Sequence, residues 1–250
     1  MAGALDGRTA VVTGAGRGLG RAIAGRFVAE GATVHAVDLE EALVDAGPFA
    51  SCTAVDLADP AAETTLTGLA DRLGTVDAVA AIAGVVPPWR GVAALDGAEW
   101  QKVFTINVWG CAVTLKAFAH GLAASGRGSA VLMASINGYR AHPDQILYSA
   151  SKHAVVGLTR AAALDLGRTG VRVNALAPGP IATDALKGRV AARHASGGPA
   201  PDTAFAALAQ ETALQRIATE EDVAKAALYL ASDLASGTTG AVIPVECGLA

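Results

Sequence analysis

Short apolar runs alternate along this chain with longer segments in which apolar residues recur every three or four positions. The runs cover residues 9–13, 33–37, 51–55, 76–83, 130–134, 171–176 and 240–245, and each is predicted to form a buried strand. Because helical segments separate them, the strands are expected to be parallel. The pattern therefore predicts an α/β fold, a doubly wound seven-stranded parallel sheet with helices on both faces.

The helical segments are predicted at the intervals between these runs. One follows the glycine-rich stretch and ends at Gly31. A second runs from Asp59 and Pro60 to Leu73, with the proline near its first turn, and a third runs from Asp96 or Gly97 to about residue 124. The segment 181–216 is different, because the sequence GGPAP at 197–201 separates two alanine-rich helical pieces. We expect it to form a flap attached to a single domain that spans residues 1–250.

A glycine-dense turn lies between the first strand and the first helix. Its sequence is Gly14-Ala15-Gly16-Arg17-Gly18-Leu19-Gly20, a Gly-x-x-x-Gly-x-Gly spacing that departs from the commoner Gly-x-Gly-x-x-Gly. Glycines in a strand–turn–helix context let the backbone approach a pyrophosphate at the helix amino terminus. The motif predicts a dinucleotide site, although an ordinary tight turn between strand and helix is the alternative.

Asp38 ends the second predicted strand, eighteen residues after Gly20. A carboxylate there can accept hydrogen bonds from the adenosine ribose hydroxyls and would repel a 2′-phosphate. This favours NAD over NADP as the cofactor. Arg17 in the glycine turn argues the other way, since it could meet such a phosphate, and Asp38 could instead cap the following segment.

Tyr148 and Lys152 are four residues apart in the segment YSASK, which opens a helical run. Residues at this spacing share one helix face, so the ammonium would favour the phenolate of a tyrosine whose free pKa is about 10. Ser135 follows an apolar strand, where its hydroxyl could donate to a substrate oxygen. The three side chains predict a proton-transfer site, against the alternative of an exposed tyrosine and a solvated lysine.

Composition excludes several classes of protein. With a net charge of −4 and a pI near 5.7, the chain has no basic surface suited to nucleic acid. No apolar run approaches the roughly 20 residues of a membrane span, and the amino terminus lacks a secretory signal, so a cytoplasmic location is expected. The five histidines and three cysteines show no metal-ligand spacing, and no metal is predicted.

With TGAGRGLG at 13–20, Ser135 with YSASK, and NALAPGPIAT at 174–183, the chain resembles the classical short-chain dehydrogenase/reductase family along essentially its whole length. The resemblance implies a Rossmann fold, a homotetramer, and Ser135, Tyr148, Lys152 and Asn107 as the catalytic set, Asn107 holding a water in a proton relay. It also implies cofactor contacts, beyond the glycine turn and Asp38, from Tyr148 and Lys152 and from Asp56, Leu57, Ala83, Gly84, Pro178, Gly179, Ile181 and Thr183.

The sequence departs from the family at two places. Ala81-Ile82-Ala83-Gly84 replaces the usual Asn-Asn-Ala-Gly, which removes two asparagines near the cofactor, and Val245-Glu246-Cys247-Gly248 replaces a more usual Asp-Gly-Gly. The helices that carry Asn107 and Tyr148 are apolar on more than one face, which independently indicates a partner subunit.

The function expected from these features is NAD-dependent hydride transfer between nicotinamide and a secondary alcohol or ketone of medium size. The alternatives are an NADP-dependent carbonyl or 3-oxoacyl reductase and, from another class, a non-catalytic dinucleotide-sensing regulatory protein. A sugar-nucleotide epimerase would need a larger substrate domain. The candidate substrate contacts are Trp89, Ile136, His142 and Gln145, for which positions on a surface loop are the alternative.

Overall fold

The computed structural model describes residues 2–45 and 47–249. Its strands form one parallel sheet in the order β3-β2-β1-β4-β5-β6-β7. They are β1 (Thr9–Thr13), β2 (Thr33–Asp38), β3 (Ser51–Ala54), β4 (Ala78–Ala81), β5 (Ser129–Met133), β6 (Arg172–Pro178) and β7 (Val242–Val245). The seven predicted strands and their parallel arrangement are confirmed, with ends displaced by at most two residues.

Helices occupy the connections between these strands. They are α1 (Gly18–Ala29), α2 (Glu40–Leu43), α3 (Ala62–Leu73), α4 (Gly97–Phe104), α5 (Gly110–Ser125), α6 (Ile146–Gly167), α7 (Asp184–Ala195), α8 (Pro201–Gln210) and α9 (Glu220–Ala231). The helix predicted from Asp59 and Pro60 to Leu73 ends at Leu73 as expected but begins later, at Ala62. Asp59 Oδ1 instead accepts a hydrogen bond from Ala61 N at 2.8 Å, closing a turn that precedes the helix.

Two apolar cores cover the two faces of the sheet. Alternate residues of β1 point to opposite sides, so that Val12 packs with α1 and α9, whereas Val11 packs with α3, α5 and α6. Phe27 and Phe118 are fully buried, one in each core. This burial fixes the register of the sheet and brings the carboxyl ends of the parallel strands to a common edge.

The amino terminus of α9 is closed by a reciprocal capping arrangement. Thr219 Oγ1 accepts a hydrogen bond from Asp222 N at 3.1 Å, and Asp222 Oδ2 accepts one from Thr219 N at 2.9 Å. Asp222 also pairs with Arg216 at 2.7 Å. The hydrogen bond from Arg216, together with those from Thr219, holds the pKa of Asp222 at about 2.

Candidate active site

The glycine turn lies at the carboxyl edge of the sheet, between β1 and α1. Gly14 and Gly18 have φ angles of 70° and 52°, in the left-handed region that favours glycine. A Cβ at Gly20 would lie 1.9 Å from the Gly14 carbonyl oxygen, so this position has no room for a larger residue. Arg17, the residue before α1, makes no side-chain cap, so the first N–H groups of the helix, in residues that line the cavity described below, have no side-chain partner.

Asp38 lies at the end of β2 beside this turn. Its Oδ2 accepts a hydrogen bond from Gly16 N and its Oδ1 accepts one from Leu39 N, both at 2.8 Å. The carboxylate is therefore held in place by backbone donors from two segments. Gly16 does not line the cavity described below, but its N–H positions the acid that does.

The segment that lacks the two family asparagines is supported by Thr13. Its hydroxyl oxygen accepts from Ile82 N at 3.1 Å and from Ala83 N at 3.3 Å. A side chain of β1 thus holds the end of β4 in place. The sequence analysis did not single out Thr13, although its position directly before the glycine turn was a usable signal.

Tyr148 and Lys152 lie on α6, with Tyr148 in its first turn. The Lys152 ammonium is 5.6 Å from the centroid of the Tyr148 ring. Lys152 is only 4% exposed, and its Nζ donates to the Met133 carbonyl oxygen at 2.8 Å. The predicted meeting of ammonium and phenol ring on one helix face is thus present in the structure, with the ammonium buried and the ring half-buried.

Ser135 follows β5 and faces the same space as Tyr148 and Lys152. Its Oγ lies 3.5 Å from the Pro178 carbonyl oxygen and accepts from Asn137 N at 3.3 Å. The side chain is 7% exposed. The hydroxyl is therefore positioned by two loops that meet at the sheet edge.

Asn107 lies in a π-turn, Thr105–Trp109, that joins α4 to α5. The predicted helix over this region is therefore continuous but contains one wide turn. Asn107 is fully buried, and its Oδ1 accepts a hydrogen bond from Val85 N at 2.7 Å. Its Nδ2 donates to Val85 O at 2.9 Å and to Ser151 Oγ at 3.3 Å. A Cβ at Gly84 would lie 3.1 Å from Asn107 Oδ1 and 3.7 Å from Lys152 Nζ, so Gly84 lies between the two side chains.

These elements enclose a cavity of about 400 Å³ at the carboxyl edge of the sheet. Asn107 and Gly16 stand behind its wall rather than in it. The predicted catalytic and cofactor residues that do line the cavity are Gly14, Arg17, Gly18, Leu19, Gly20, Asp38, Asp56, Leu57, Ala83, Gly84, Ser135, Tyr148, Lys152, Pro178, Gly179, Ile181 and Thr183.

The four candidate substrate contacts lie outside the lining of this cavity. Trp89 and Gln145 line a small adjoining pocket that also includes Tyr148. Ile136 is buried in the turn after Ser135, and His142 lies in the loop before α6, with a buried Nε2 that has no hydrogen-bond partner among the described residues. Their role in substrate binding stays a prediction.

Arg189 is a cavity residue that the sequence analysis did not single out. It lies on α7, within the segment expected to form a flap, and it lines the cavity together with Tyr148. Burial lowers the pKa of its guanidinium, and the electrostatic influence of Tyr148 raises it. The same helix also carries Lys187 and Arg193, so no local pattern in the sequence distinguished Arg189 from them.

The residues present fit a dinucleotide. The glycine turn allows close backbone approach, the uncapped start of α1 offers N–H donors to a pyrophosphate, and Asp38 offers a fixed acceptor for ribose hydroxyls. Among residues 2–45 and 47–249 there is no cluster of three or more histidine, cysteine or acidic side chains that could hold a metal ion. In the same part of the chain no helix is long and apolar enough to cross a membrane.

Comparisons with known proteins place this site in context. A family model described as enoyl-(acyl carrier protein) reductase matches residues 14–250. The cis-4-hydroxycyclohexanecarboxylate dehydrogenase of Sinomonas cyclohexanicum is 35% identical, with 99% of this chain and 98% of that protein covered.

Two solved structures are similar over nearly the whole chain. An oxidoreductase of the short-chain dehydrogenase/reductase family from Burkholderia thailandensis is 33% identical with a TM-score of 0.85, covering 97% of this chain and 92% of the other. A protein from Beutenbergia cavernae, provisionally described as an NAD(P)-dependent gluconate 5-dehydrogenase and containing NADP at low occupancy, is 36% identical with a TM-score of 0.83, covering 97% and 96%.

Proposed function

Because the chain belongs to the short-chain dehydrogenase/reductase family, we propose that it is an NAD(H)-dependent enzyme that transfers a hydride between nicotinamide and a secondary alcohol or ketone. The observation that carries this proposal is the single cavity shared by the glycine turn, Asp38 and the Ser135, Tyr148 and Lys152 side chains. A non-catalytic dinucleotide sensor would not require these three polar groups to converge beside the cofactor site.

The cofactor would be held along the length of the cavity. The glycine turn and the start of α1 would bind the pyrophosphate, and Asp38 would bind the adenosine ribose. Asp56 and Leu57 would lie beside the adenine, Ala83 and Gly84 at the sheet centre, and Pro178, Gly179, Ile181 and Thr183 along the nicotinamide half. When bound, the nicotinamide supplies the hydride acceptor of the oxidative reaction.

Tyr148 is the general base of the proposed oxidation. Its phenolate takes the proton of the substrate hydroxyl while a hydride leaves the carbinol carbon, and in reduction the phenol returns a proton to the carbonyl oxygen. Lys152 stabilises the phenolate by its charge, since its ammonium is fixed 5.6 Å from the ring by the bond to Met133 O. Ser135 donates to the substrate oxygen as its charge changes.

Asn107 is a positioning residue in this scheme. Its hydrogen bonds with Val85 fix the loop after β4, and its Oδ1 lies near the Lys152 ammonium across Gly84. We infer that a water held between Asn107 and Lys152 continues the proton relay to solvent. The π-turn brings the Asn107 amide inward, where a regular helix would place that position differently.

The substrate is proposed to be a secondary alcohol of medium size, and a cyclic one is supported by the hydroxycyclohexane substrate in the name of the Sinomonas relative. Trp89, Ile136, His142 and Gln145 would contact it from the neighbouring loops. The segment 181–216, which contains α7 and α8, would act as a flap that excludes water.

An NADP-dependent carbonyl or 3-oxoacyl reductase is the second candidate. Arg17 lines the cavity and is exposed, so it could meet a 2′-phosphate, and the Beutenbergia structure contains NADP. Asp38 favours NAD, because its carboxylate is fixed where a 2′-phosphate would be repelled.

Large apolar side chains are exposed on two neighbouring parts of the surface. Trp109, at the end of the π-turn, is 47% exposed, and Leu164 on α6 is 77% exposed. Their exposure supports a homotetramer in which a second subunit covers these faces. We also propose a cytoplasmic location, as the sequence led us to expect.

The test is a panel of secondary alcohols incubated with NAD or NADP, in which the absorbance of the reduced nicotinamide is followed. We expect oxidation with NAD for at least one alcohol of medium size. Failure to bind NADH, measured by its fluorescence, together with no turnover of any alcohol or ketone, would contradict the proposed function.

A further inference from the structure

Arg189 places a positive charge at the reacting end of the cavity. The helix α7 borders the cavity through Asp184, Ala185, Leu186 and Arg189, and Arg189 is the cation among these residues. Arg189 lines the same cavity as Tyr148, and the electrostatic influence of Tyr148 raises the pKa of the guanidinium. The arginine therefore lies beside the proposed general base rather than beside Asp38 and the adenosine end.

The guanidinium of Arg189 has no partner in the described part of the chain. Its Nε is buried without a hydrogen bond, and no carboxylate of residues 2–45 or 47–249 lies within 4.0 Å of it. Asp184, which opens the same helix, pairs with Lys187 at 3.4 Å and has a fully exposed side chain. Arg189 is half-buried, and holding a guanidinium partly out of water without a partner is unfavourable, so an anionic ligand would complete this site.

The chemistry of the group defines the ligand. A guanidinium presents parallel N–H donors that match the two oxygens of a carboxylate, and such paired, charge-assisted hydrogen bonds are stronger and more directional than neutral ones. The pyrophosphate of a dinucleotide has its own donors at the glycine turn and at the start of α1. The anion at Arg189 is therefore a separate group, carried by the molecule that Tyr148 acts on.

We propose that Arg189 binds a carboxylate of the substrate, so that this enzyme oxidises hydroxy acids whose carboxylate is separate from the reacting carbinol and reduces the corresponding oxo acids. This inference rests on the proposed function. It assigns the specificity for the charged end of the substrate to one residue of α7. It also gives the flap a chemical role, because the anion draws α7 onto the cavity when substrate binds.

The experiment compares acids with their neutral amides. The probes are cis- and trans-4-hydroxycyclohexanecarboxylate and 3-hydroxybutyrate, each beside its carboxamide, with NAD as cofactor. The wild type is expected to prefer the acids, and Arg189→Gln is expected to lower kcat/KM for the acids about 10- to 100-fold, mainly through KM, while changing that for the amides less than about threefold. Arg189→Lys keeps the positive charge but lacks the parallel N–H donors of the guanidinium, so it is expected to show a smaller loss than Arg189→Gln.

The matched control is Arg193→Gln. Arg193 lies one turn further along α7, where its guanidinium stacks 5.6 Å from the Trp89 ring centroid and does not line the cavity. The same change of side chain there is expected to leave the preference for acids unchanged. An equal loss of acid preference in both variants would overturn the assignment to Arg189.

A binding measurement removes the dependence on turnover. Calorimetric titration of the wild-type complex with NADH is expected to show tighter binding of cyclohexanecarboxylate than of cyclohexanecarboxamide, and Arg189→Gln is expected to abolish the difference. Equal affinities in the wild type, or equal losses for acids and amides in Arg189→Gln, would overturn the proposal. Those results would leave the enzymatic proposal intact, which fails only if NADH does not bind and neither acids nor neutral alcohols react.

Discussion

Replacement of Asp38 by asparagine should reduce the preference for NAD over NADP. The wild-type carboxylate is fixed by Gly16 N and Leu39 N, each at 2.8 Å, so it cannot easily turn away from a phosphate on the adenosine ribose. Asparagine keeps an oxygen acceptor and nearly the same shape but removes the negative charge. The variant removes the charge together with one of the two backbone hydrogen bonds, because the asparagine Nδ2 cannot accept from an N–H group.

The expected magnitude follows from the exposure of the site. Two unit charges about 4 Å apart interact by about 1 kcal/mol in water and by about 4 kcal/mol near a protein surface. Asp38 is half-buried, and the 2′-phosphate carries more than one charge, so we expect about 2 to 4 kcal/mol against NADP in the wild type. This corresponds to a ratio of kcat/KM of about 30- to 1000-fold in favour of NAD. In Asp38→Asn the ratio should fall below about tenfold.

The assay is the initial rate with each cofactor at several salt concentrations, using one alcohol that the wild type oxidises. Asp56→Asn is the matched control, because Asp56 also lines the cavity and follows a strand but is expected to lie beside the adenine. It should leave the ratio nearly unchanged. A wild-type enzyme that prefers NADP, or an Asp38→Asn variant with an unchanged ratio, would refute the electrostatic reasoning.

Three further predictions concern the cofactor turn, the π-turn and acid stability. Gly20→Ala should abolish NADH binding in a fluorescence titration, because its Cβ would lie 1.9 Å from a carbonyl oxygen. Gly25→Ala, with open space around the added Cβ, should bind NADH normally, and normal binding by both variants would contradict this reasoning. Asn107→Ala should lower the free energy of unfolding in urea by about 2 to 4 kcal/mol, since the Val85 backbone groups lose their partners; an unchanged midpoint contradicts this. Asp222 has a pKa of about 2 in the folded protein, below its ordinary 3.8, so its stabilising contribution is present above about pH 4 and is lost as the pH falls towards 2. Asp222→Asn should therefore remove about 1 kcal/mol of stability at pH 7 and less at pH 2.5, and an equal loss at both values contradicts the assignment.

The sheet and the polar groups at its edge were predictable because their signals are local. The run at residues 9–13 is apolar and continuous, as a strand covered on both faces requires, and it leads directly into the glycine turn. Tyr148 and Lys152 meet because helical geometry alone puts positions four apart on one face. Strand ends were less accurate: β6 extends to Pro178 because pairing with β7 continues past the apolar run.

Other features depend on packing that no local pattern records. The π-turn at Asn107 is stabilised by hydrogen bonds to the Val85 backbone, 22 residues away in the chain. Arg189 and Arg193 lie one turn apart on α7, and the packing of that helix on the loops below it decides that Arg189 lines the cavity while Arg193 stacks on Trp89. The positions of Trp89 and Gln145 likewise depend on the bridge between their two loops at Arg90 and Gln145.

The most direct test of the central claim is the Tyr148→Phe variant, measured for both turnover and NADH affinity in the same preparation. The phenylalanine keeps the ring beside Lys152 but removes the hydroxyl that transfers the proton. The account predicts that kcat falls by about 10²- to 10⁴-fold while the Kd for NADH changes by less than about threefold. Turnover at the wild-type rate would contradict the claim that Tyr148 carries the proton.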